Sequence, residues 1–332
     1  MRNVASLAGV GLKTVSRVIN GEPNVAPATM ERVRAAAAQL NYQPDLHAGN
    51  LRRTNRRSGT LGLLVGNVAN PFSASVHRGV EDVASPLGVA VFASSLDDDP
   101  ERERSAVEAF LRRRVDGLIL TSIDTSQAYL GIEIDRGTPV VFVDRMPSGL
   151  DADTVVTDNA EGTARAVQHL AAAGHRRIAY LGDRSDIWTA RERRRGFIDE
   201  LRRLGLTARP EWIVDGMTDE VRAADAVTRL LTLDEPPTAI FSAQNLVTVG
   251  AVVAMRALGA LDRVALVGFD DFPLADLLTP AVTVIAQDPL EIGRVAAGRV
   301  FARLDGDRGP VGTLTVPTRL IVRGSGEVRP HD

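Results

Sequence analysis

The sequence predicts a two-part protein: an all-α head with a helix-turn-helix, followed by an α/β core of two doubly wound parallel-sheet subdomains. Three observations indicate this class. Apolar residues recur at helical spacing between residues 4 and 40. After residue 59, short apolar runs alternate with helical patterns, as they do in parallel sheets. The length of 332 residues allows two or three separately buried cores.

Composition and charge narrow the class of protein. The chain contains no cysteine, which excludes disulfide frameworks, thiolate metal sites and cysteine nucleophiles. It shows neither a secretory signal pattern nor an apolar stretch of membrane-spanning length, so we expect a cytoplasmic location. Residues 1–58 hold nine Arg or Lys and three acids, a charge of +6; the whole chain is −3, so the remainder is −9. A basic head on an acidic body is typical of a nucleic-acid-binding module joined to a different kind of domain.

The head, residues 1–44, is predicted to contain three helices, over residues 3–7, 12–20 and 27–40. The first two are joined by a short turn, so they form a helix-turn-helix. The second helix exposes side chains that can donate to guanine and phosphate and contact thymine methyl groups, which suits the major groove of DNA. These side chains are Leu12, Lys13, Thr14, Ser16 and Arg17.

Residues 45–58 are predicted to be a hinge segment and linker. The stretch RRTNRRSG at residues 52–59 is basic and polar, and it has no apolar periodicity with which to bury a face of its own.

Seven apolar runs predict strands in the core, residues 59–332, and the pattern begins again after Thr157. We therefore expect an N-subdomain of about residues 59–157 and 286–315. The C-subdomain is expected to comprise about residues 158–284 and 316–326.

Polar residues follow most of these runs, and ligands of open parallel sheets bind at the carboxyl ends of the strands. Helix caps would account for most of these residues, although not for Arg145. The residues are Asn67, Asn70, Ser94, Ser95, Ser122, Asp124, Asp144, Arg145, Gln244, Asn245, Asp270 and Asp271.

Several motifs resemble those of the LacI/GalR (lactose-repressor) family over essentially the whole chain. The head matches in VASLAGVGLKTVSRVIN at residues 4–20 and in NVAPATMERVRAAAAQLNYQP at residues 24–44. The core matches in NPF, VDG, VDR, GHRRIAYLG, RRGF and VGFDD. The resemblance implies a periplasmic-binding-protein-like core whose subdomains are joined by three chain crossings, near Thr157, Ile285 and Val316, and close on a ligand by hinge motion.

The same resemblance implies roles in DNA binding. It places Leu12, Lys13 and Arg17 at base-contacting positions of the recognition helix. Thr14, Ser16 and Asn20 would mainly contact phosphate. Leu51 matches a leucine that enters the minor groove when the hinge segment folds as a short helix on the operator.

The head departs from the family pattern at three helix starts. Asn3 stands where an acid is usual, Gly11 replaces a capping serine, and Ala26 replaces another expected cap. Each change weakens a helix start. The chain begins inside the expected first helix, so residues upstream of it are expected to be missing.

The resemblance also implies an effector site between the subdomains. Arg193 and Asp270 are the leading candidates, because a guanidinium donates in pairs and a carboxylate accepts in pairs, as vicinal hydroxyls require. Asp144 is a third polar candidate, and an interdomain salt bridge is the alternative for these charges. Phe72 and Trp188 are candidates for an apolar wall, with core packing as the alternative for Phe72. Asn70 and Gln244 complete the predicted site.

The function that follows is a sequence-specific DNA-binding transcriptional regulator, a repressor by resemblance, controlled by a small molecule of which a sugar is favoured. The resemblance implies a homodimer on a near-palindromic operator, because the family acts as dimers. The end RGSGEVRPHD resembles a frayed terminus without the leucine heptads of the family's tetramerising appendage, so we expect a dimer and not a tetramer. No cofactor and no metal are expected. Two other classes fit the sequence less well. An enzyme would need nucleotide-binding or nucleophile motifs, which are missing, and a transport solute-binding protein would carry a signal peptide instead of a basic head.

Overall fold

A computed structural model describes residues 1–19, 22–42 and 57–330, and the chain forms two compact units, 1–59 and 60–332. The units are described separately. The sequence-based hinge segment falls almost entirely outside the described residues.

The head unit contains three helices: α1 (Arg2–Ala8), α2 (Leu12–Ile19) and α3 (Pro27–Gln39). Gly9 ends α1 in the left-handed conformation, with φ 63°, and so allows the tight turn into α2. The three helices bury one apolar cluster: Val4, Ala8, Val15, Val18, Val33, Ala36 and Ala37. The predicted helix-turn-helix is thus confirmed. The third helix, predicted over residues 27–40, ends at Gln39, and the exposed Leu40 is its C-terminal cap.

The first sheet of the core has the strand order β11-β5-β4-β3-β1-β2, and all its strand pairs are parallel. Its four inner strands are buried on both faces because helices cover both sides, whereas the two edge strands are partly exposed. The strands are β1 (Thr60–Val65), β2 (Ala90–Ser95), β3 (Gly117–Leu120), β4 (Val140–Val143), β5 (Asp153–Thr157) and β11 (Thr313–Val316).

The second sheet repeats this topology, with the order β12-β10-β9-β8-β6-β7. Its strands are β6 (Ile178–Leu181), β7 (Ile213–Val214), β8 (Ala239–Ser242), β9 (Ala265–Phe269), β10 (Thr283–Ala286) and β12 (Arg319–Ile321). The expectation of wholly parallel sheets needs one correction, because β12 runs antiparallel to β10. The link 317–318 leads from the carboxyl end of β11 to the carboxyl end of β10, where Arg319 pairs with Ala286, so β12 runs back along β10 in the opposite direction.

Helices flank both sheets. In the first subdomain they are α4 (Pro71–Ala84), α5 (Pro100–Arg112), α6 (Gly131–Asp135) and α11 (Pro289–Leu304). In the second they are α7 (Asn159–Ala172), α8 (Trp188–Arg203), α9 (Glu220–Leu231) and α10 (Asn245–Ala257). Because α4 begins directly after β1 and α10 directly after β8, the amino ends of these helices lie at the carboxyl ends of the strands.

Polar contacts join two of the chain segments that pass between the subdomains. The hydroxyl of Thr157 donates to the carbonyl of Val316 at 2.7 Å. The backbone N–H of Thr318 donates to the carboxylate of Asp158 at 2.6 Å, and Arg165 donates to the same carboxylate at 2.9 Å. These neighbouring segments can therefore bend together while each subdomain stays intact.

The segment near the C-terminus is not frayed, contrary to the sequence-based expectation. Residues Gly324–Glu327 form a 3-10 turn, and Ser325 is buried. The Ser325 hydroxyl donates to the carbonyl of Leu266 at 2.6 Å, and a ring nitrogen of His175 lies 2.8 Å from the carbonyl of Val328. Burial lowers the pKa of His175, so its neutral form is favoured in this contact. The small polar residues serve packing here rather than disorder.

Within the described ranges, the longest helices are too short and too polar to cross a membrane.

Helices α4 and α11 contact each other closely through two glycines. A methyl group at Gly293 would overlap the carbonyl oxygen of Val76, whereas one at Gly298 on the same helix would meet no atom within 4 Å. We expect Gly293→Ala to destabilise the core by about 1–3 kcal/mol, because overpacking forces the helices apart. Gly298→Ala should instead stabilise it by up to about 1 kcal/mol, because alanine has the higher helix propensity. Denaturant unfolding of both variants tests this pair, and equal effects would contradict the close crossing.

Ala26 precedes α3 without a side-chain cap, and its backbone, at φ −58° and ψ 137°, already suits a capping residue. We expect Ala26→Ser to stabilise α3 by about 1 kcal/mol, because the hydroxyl can accept an unpaired N–H of the first turn. The matched control is Ala35→Ser on the exposed side of α3, which should cost about 0.5 kcal/mol. Hydrogen exchange of the α3 amides in the full chain measures both, and faster exchange in Ala26→Ser would contradict the capping argument.

Candidate functional site

The exposed side of α2 is the candidate nucleic-acid surface. Val15 and Val18 anchor the helix in the head core, so Leu12, Lys13 and Arg17 face outward. Leu12 is 48% exposed, which is unusual for leucine and suits contact with a thymine methyl group. Thr14 and Ser16 are half-buried at the edges of this surface. Asn20 and Leu51, also predicted to contact DNA, lie outside the described residues.

Arg17 carries one acidic neighbour on the candidate surface. Its Nε lies 3.7 Å from a carboxylate oxygen of Glu22, and about half of each side chain is exposed. An exposed pair of this kind is weak, contributing about 0–1 kcal/mol, so the guanidinium can exchange Glu22 for a base or a phosphate.

A cavity of about 550 Å³ lies between the two subdomains. Residues one or two positions after the ends of eight strands line it, four strands from each sheet. The carboxyl ends of both sheets therefore face one cleft, as the rule for open parallel sheets requires. Six of the seven predicted effector residues lie on this cavity: Asn70, Phe72, Asp144, Arg193, Gln244 and Asp270.

Trp188 is the predicted residue that does not line the cavity. The helix α8 presents Thr189, Ala190 and Arg193 to the cleft. At about 100° per residue, position 188 lies on nearly the opposite side of the helix from the mean direction of these three.

Phe72 has both of the roles considered for it, because it lines the cavity and packs against the core of the first subdomain.

Arg193 is a buried guanidinium, 5% exposed, at the second subdomain's side of the cleft. Its Nε donates to the Oδ1 of Asn159 and one terminal nitrogen donates to the carbonyl of Ala243, both at 2.7 Å. Its central carbon lies 3.8 Å from the centre of the Phe269 ring, in cation–π contact. The Oδ2 of Asp270 lies 3.8 Å from the guanidinium, close enough for charge attraction but too far for a hydrogen bond.

Asp144 and Asp270 occupy equivalent places in the two subdomains. Each follows the third strand of its parallel sheet, counted from the outer edge at β11 or β12, and each has a left-handed backbone, with φ 69° and 72°. Their backbone N–H groups donate to Val155 and Ile285 in the neighbouring strands, both at 2.9 Å. Left-handed non-glycine residues are uncommon and cluster at functional sites, so this repeated geometry marks the cleft.

The cleft charges pair within their own subdomains rather than across the cleft. Arg145 lies 2.8 Å from Asp98 and 3.7 Å from Asp144, all three in the first subdomain. The alternative of an interdomain salt bridge for Asp144, Arg193 and Asp270 does not describe these contacts. Burial raises the pKa of Asp144, and the charge of Arg145 only partly offsets this.

One side-chain pair does cross the cleft. The amide of Asn245, at the start of α10, donates to the Oδ1 of Asn70 at 3.0 Å. Asn70 also caps α4, where its Oδ1 accepts from the backbone N–H of Phe72 at 3.0 Å. The two subdomains are thus in direct polar contact across the cleft.

The polar lining residues that were not among the predicted effector contacts include Asp98, Asp183 and Gln287. Asp183 lies just beyond β6 and Gln287 directly follows β10. The rule that ligands bind at the carboxyl ends of parallel strands could therefore have identified both residues from the sequence. The same rule also points to two residues after β3 that do not line the cavity. Ser122 donates to the carbonyl of Met146, Asp124 pairs with Arg104, and neither lines the cavity.

Comparison with known proteins finds two family models that together match most of the chain. A family model described as periplasmic binding proteins and sugar binding domain of LacI family matches residues 58–322, and one for bacterial regulatory proteins of the lacI family matches residues 1–45. The chain belongs to the LacI family. This LacI-family chain is therefore a DNA-binding transcriptional regulator with an effector-binding core, and not an enzyme.

Three relatives illustrate the match. The chain is 35% identical to the HTH-type transcriptional regulator PtxS of Pseudomonas aeruginosa over 98% of its own length and 95% of that protein. It is 30% identical to the HTH-type transcriptional repressor PurR of Aliivibrio salmonicida, covering 92% of each chain. The solved lac repressor dimer bound to operator and the anti-inducer ONPF matches at 27% identity and a TM-score of 0.87, over 97% of both chains.

The raised pKa of Asp144 leads to a prediction about stability. Ionisation of a buried carboxyl lowers stability as the pH rises through its folded-state pKa, and Asp144→Asn removes that cost. We expect this variant to melt a few degrees above the parent at pH 7 when no ligand is bound. The gain should shrink as the pH falls toward the ordinary Asp value of 3.8.

The control for this prediction is Asp186→Asn. Hydrogen bonding from Arg184 lowers the pKa of Asp186, so its ionised form stabilises the fold. The variant should therefore show a small loss at pH 7 that also shrinks as the pH falls. Thermal unfolding across this pH range gives both signs, and a Asp144→Asn gain that grows on acidification would contradict the burial argument.

Proposed function

We propose that the protein is a cytoplasmic repressor that binds a near-palindromic operator as a homodimer and is controlled by a sugar bound between the core subdomains. The observation that carries this proposal is the cleft, in which a buried guanidinium and several carboxylates from both sheets surround a ligand-sized cavity. Its volume of about 550 Å³ lies within the common range of small-molecule sites, roughly 300–1,000 Å³.

In the DNA-binding role, α2 enters the major groove of each half-site. Lys13 and Arg17 donate to guanine edges, and Leu12 contacts a thymine methyl group. Thr14, Ser16 and Asn20 contact phosphates and fix the position of the helix, and Leu51 of the hinge segment enters the minor groove. The exposure of Leu12, Lys13 and Arg17 supports this assignment.

In the effector role, Arg193 and Asp270 bind vicinal hydroxyls of the sugar. A guanidinium and a carboxylate side by side offer paired donors and paired acceptors, which match two adjacent hydroxyls. Asp144, Asn70 and Gln244 add polar contacts, and Phe72 packs against an apolar face of the ring. The name of the matching family model, which includes a sugar binding domain, supports this ligand class.

Effector binding changes operator affinity by changing the angle between the subdomains. Ligand that contacts both sheets favours one closure angle, and the three chain crossings restrict the motion to a hinge. The changed angle alters the spacing of the heads and thus the affinity for the operator. Coupling of this kind is reciprocal, so operator DNA changes the affinity for the effector by the same factor.

A dimer is supported by exposed apolar side chains on both subdomains. Val253 on α10 is 57% exposed, and Leu274 and Leu277 after β9 are 64% and 72% exposed. Phe92, on the edge strand β2 of the first subdomain, is 46% exposed. Exposed apolar groups on both subdomains suit pairing with a second copy of the chain.

The test is selection of bound sequences from a random DNA pool with the full-length protein. We expect a near-palindromic motif. Arg17→Ala should lose about tenfold to a hundredfold in affinity for it, because a bidentate arginine–guanine contact contributes about 1–3 kcal/mol.

The matched control is Arg34→Ala, which removes the same charge from the exposed side of α3 and should leave the selected motif unchanged. Enrichment of the same motif by Arg17→Ala would contradict the assigned surface. Enrichment of no sequence by the parent protein would contradict the function itself.

A further inference from the structure

The charges that line the cleft are unbalanced. Six carboxylates and three guanidiniums face the cavity. The carboxylates belong to Asp97, Asp98, Asp144, Asp183, Glu220 and Asp270, and the guanidiniums to Arg145, Arg184 and Arg193. A ligand therefore enters a cavity with a surplus of negative charge, in a setting that screens charge less than bulk water does.

The guanidiniums already have acceptors within the protein. Arg193 donates to Asn159 and Ala243, and Arg184 donates to Asp186 at 3.0 Å. Arg145 lies between Asp98 and Asp144, and among the described residues its buried Nε has no hydrogen-bond acceptor. That N–H can donate to a neutral oxygen of a ligand, but the two flanking carboxylates repel an anion.

Two of the helix starts at the cleft are also occupied. Asn70 caps α4 through the N–H of Phe72. Gln244 caps α10 through the N–H groups of Leu246 and Val247, at 3.0 and 3.4 Å. Backbone N–H groups at helix starts are common seats for carboxylate and phosphate, and here side-chain oxygens fill them. The third helix, α8, has no side-chain cap, but Asp183 and Asp186 lie in the loop that leads into it.

Asp183 is a lining carboxylate whose hydrogen-bond donors are neutral groups. Its carboxylate accepts from the backbone N–H of Arg184 at 2.7 Å and from the amide of Gln244 at 3.3 Å. Burial raises its pKa, and the nearby Asp98 raises it further. Both effects indicate a site that needs hydrogen-bond donors rather than further negative charge.

We infer that the cleft selects an uncharged, hydroxyl-rich ligand and excludes sugar acids and sugar phosphates. This inference rests on the proposed sugar effector and defines its class. Hydroxyls donate to the surplus carboxylates and accept from Arg193 and Arg145, whereas a carboxylate or phosphate would meet like charge from both subdomains.

The experiment is a competition for the full-length protein. An equimolar mixture contains D-glucose, D-galactose, D-ribose and cellobiose, each with its aldonic acid, and each monosaccharide with its terminal phosphate. Protein and bound ligand are recovered by rapid ultrafiltration, and the retained compounds are quantified by mass spectrometry. We expect the neutral sugar that binds best to be retained at least about tenfold more than its own acid or phosphate.

Variants then test the cause. Asp183→Asn should raise the ratio of retained acid to neutral parent by about tenfold, because it removes one negative charge from the cavity. The control is Asp199→Asn, which makes the same change in net charge on the solvent-exposed side of α8 and should leave the ratio unchanged. If Asp183→Asn does not fold, Asp98→Asn replaces it, since asparagine tolerates the left-handed backbone there, with φ 54°.

Each result decides one point. Retention of an acid or phosphate above its neutral parent would overturn the charge selection while leaving a sugar effector in place. An unchanged ratio in Asp183→Asn would also overturn it. Retention of no compound would contradict the sugar effector, and the charge selection with it.

Discussion

The buried guanidinium of Arg193 is the interaction on which the organisation of the cleft depends. A charge held at 5% exposure is tolerated only where hydrogen bonds and nearby charge replace its water. Its partners are Asn159 at the start of α7, the carbonyl of Ala243 after β8, and the ring of Phe269 in β9. Three separate elements are thereby fixed around one side chain of α8. The cavity wall on this side is therefore ordered before a ligand binds, and the entropy cost of ordering the site on binding is smaller.

The second constraint is the repetition of one topology. Both sheets place a left-handed aspartate at the end of the equivalent strand, and both aspartates face the same cavity. Because the two halves meet at their carboxyl ends, the cleft is built from turns, which can vary in sequence without disturbing the sheets. The crossing segments at Thr157 and Thr318 bond to each other or to shared partners, so relative motion of the halves is a bend at the crossings rather than a slide. A small ligand in the cleft can therefore change the angle between the two subdomains.

The candidate site could be predicted from sequence to the extent that it follows strand ends. Asn70, Asp144, Gln244 and Asp270 were identified because each lies just after an apolar run, and the run ends set their position in space. Trp188 was misplaced because its contact depends on the rotational phase of α8, which is fixed by the packing of Arg193 and not by proximity to a strand. The electrostatic effect of Asp98 and Asp183 could be recognised only from the tertiary structure. Burial of Asp183 and the nearby charge of Asp98 raise the pKa of Asp183, and neither can be read from the sequence.

The sequence by itself determined the class of the protein: the helix-turn-helix, the alternation of strands and helices, and the family. These depend on local periodicity and on short motifs, which are properties of neighbouring residues. Tertiary structure decided the rest. The short strands β7 and β12 carry too few residues for a pattern. β12 is antiparallel because the chain enters the second sheet at the carboxyl end of β10, and the segment around Ser325 is buried because it packs on the second sheet. The balance of charge in the cleft was decided in the same way, since it sums side chains from the ends of four strands and from helices α8 and α9, which meet only when both sheets have folded.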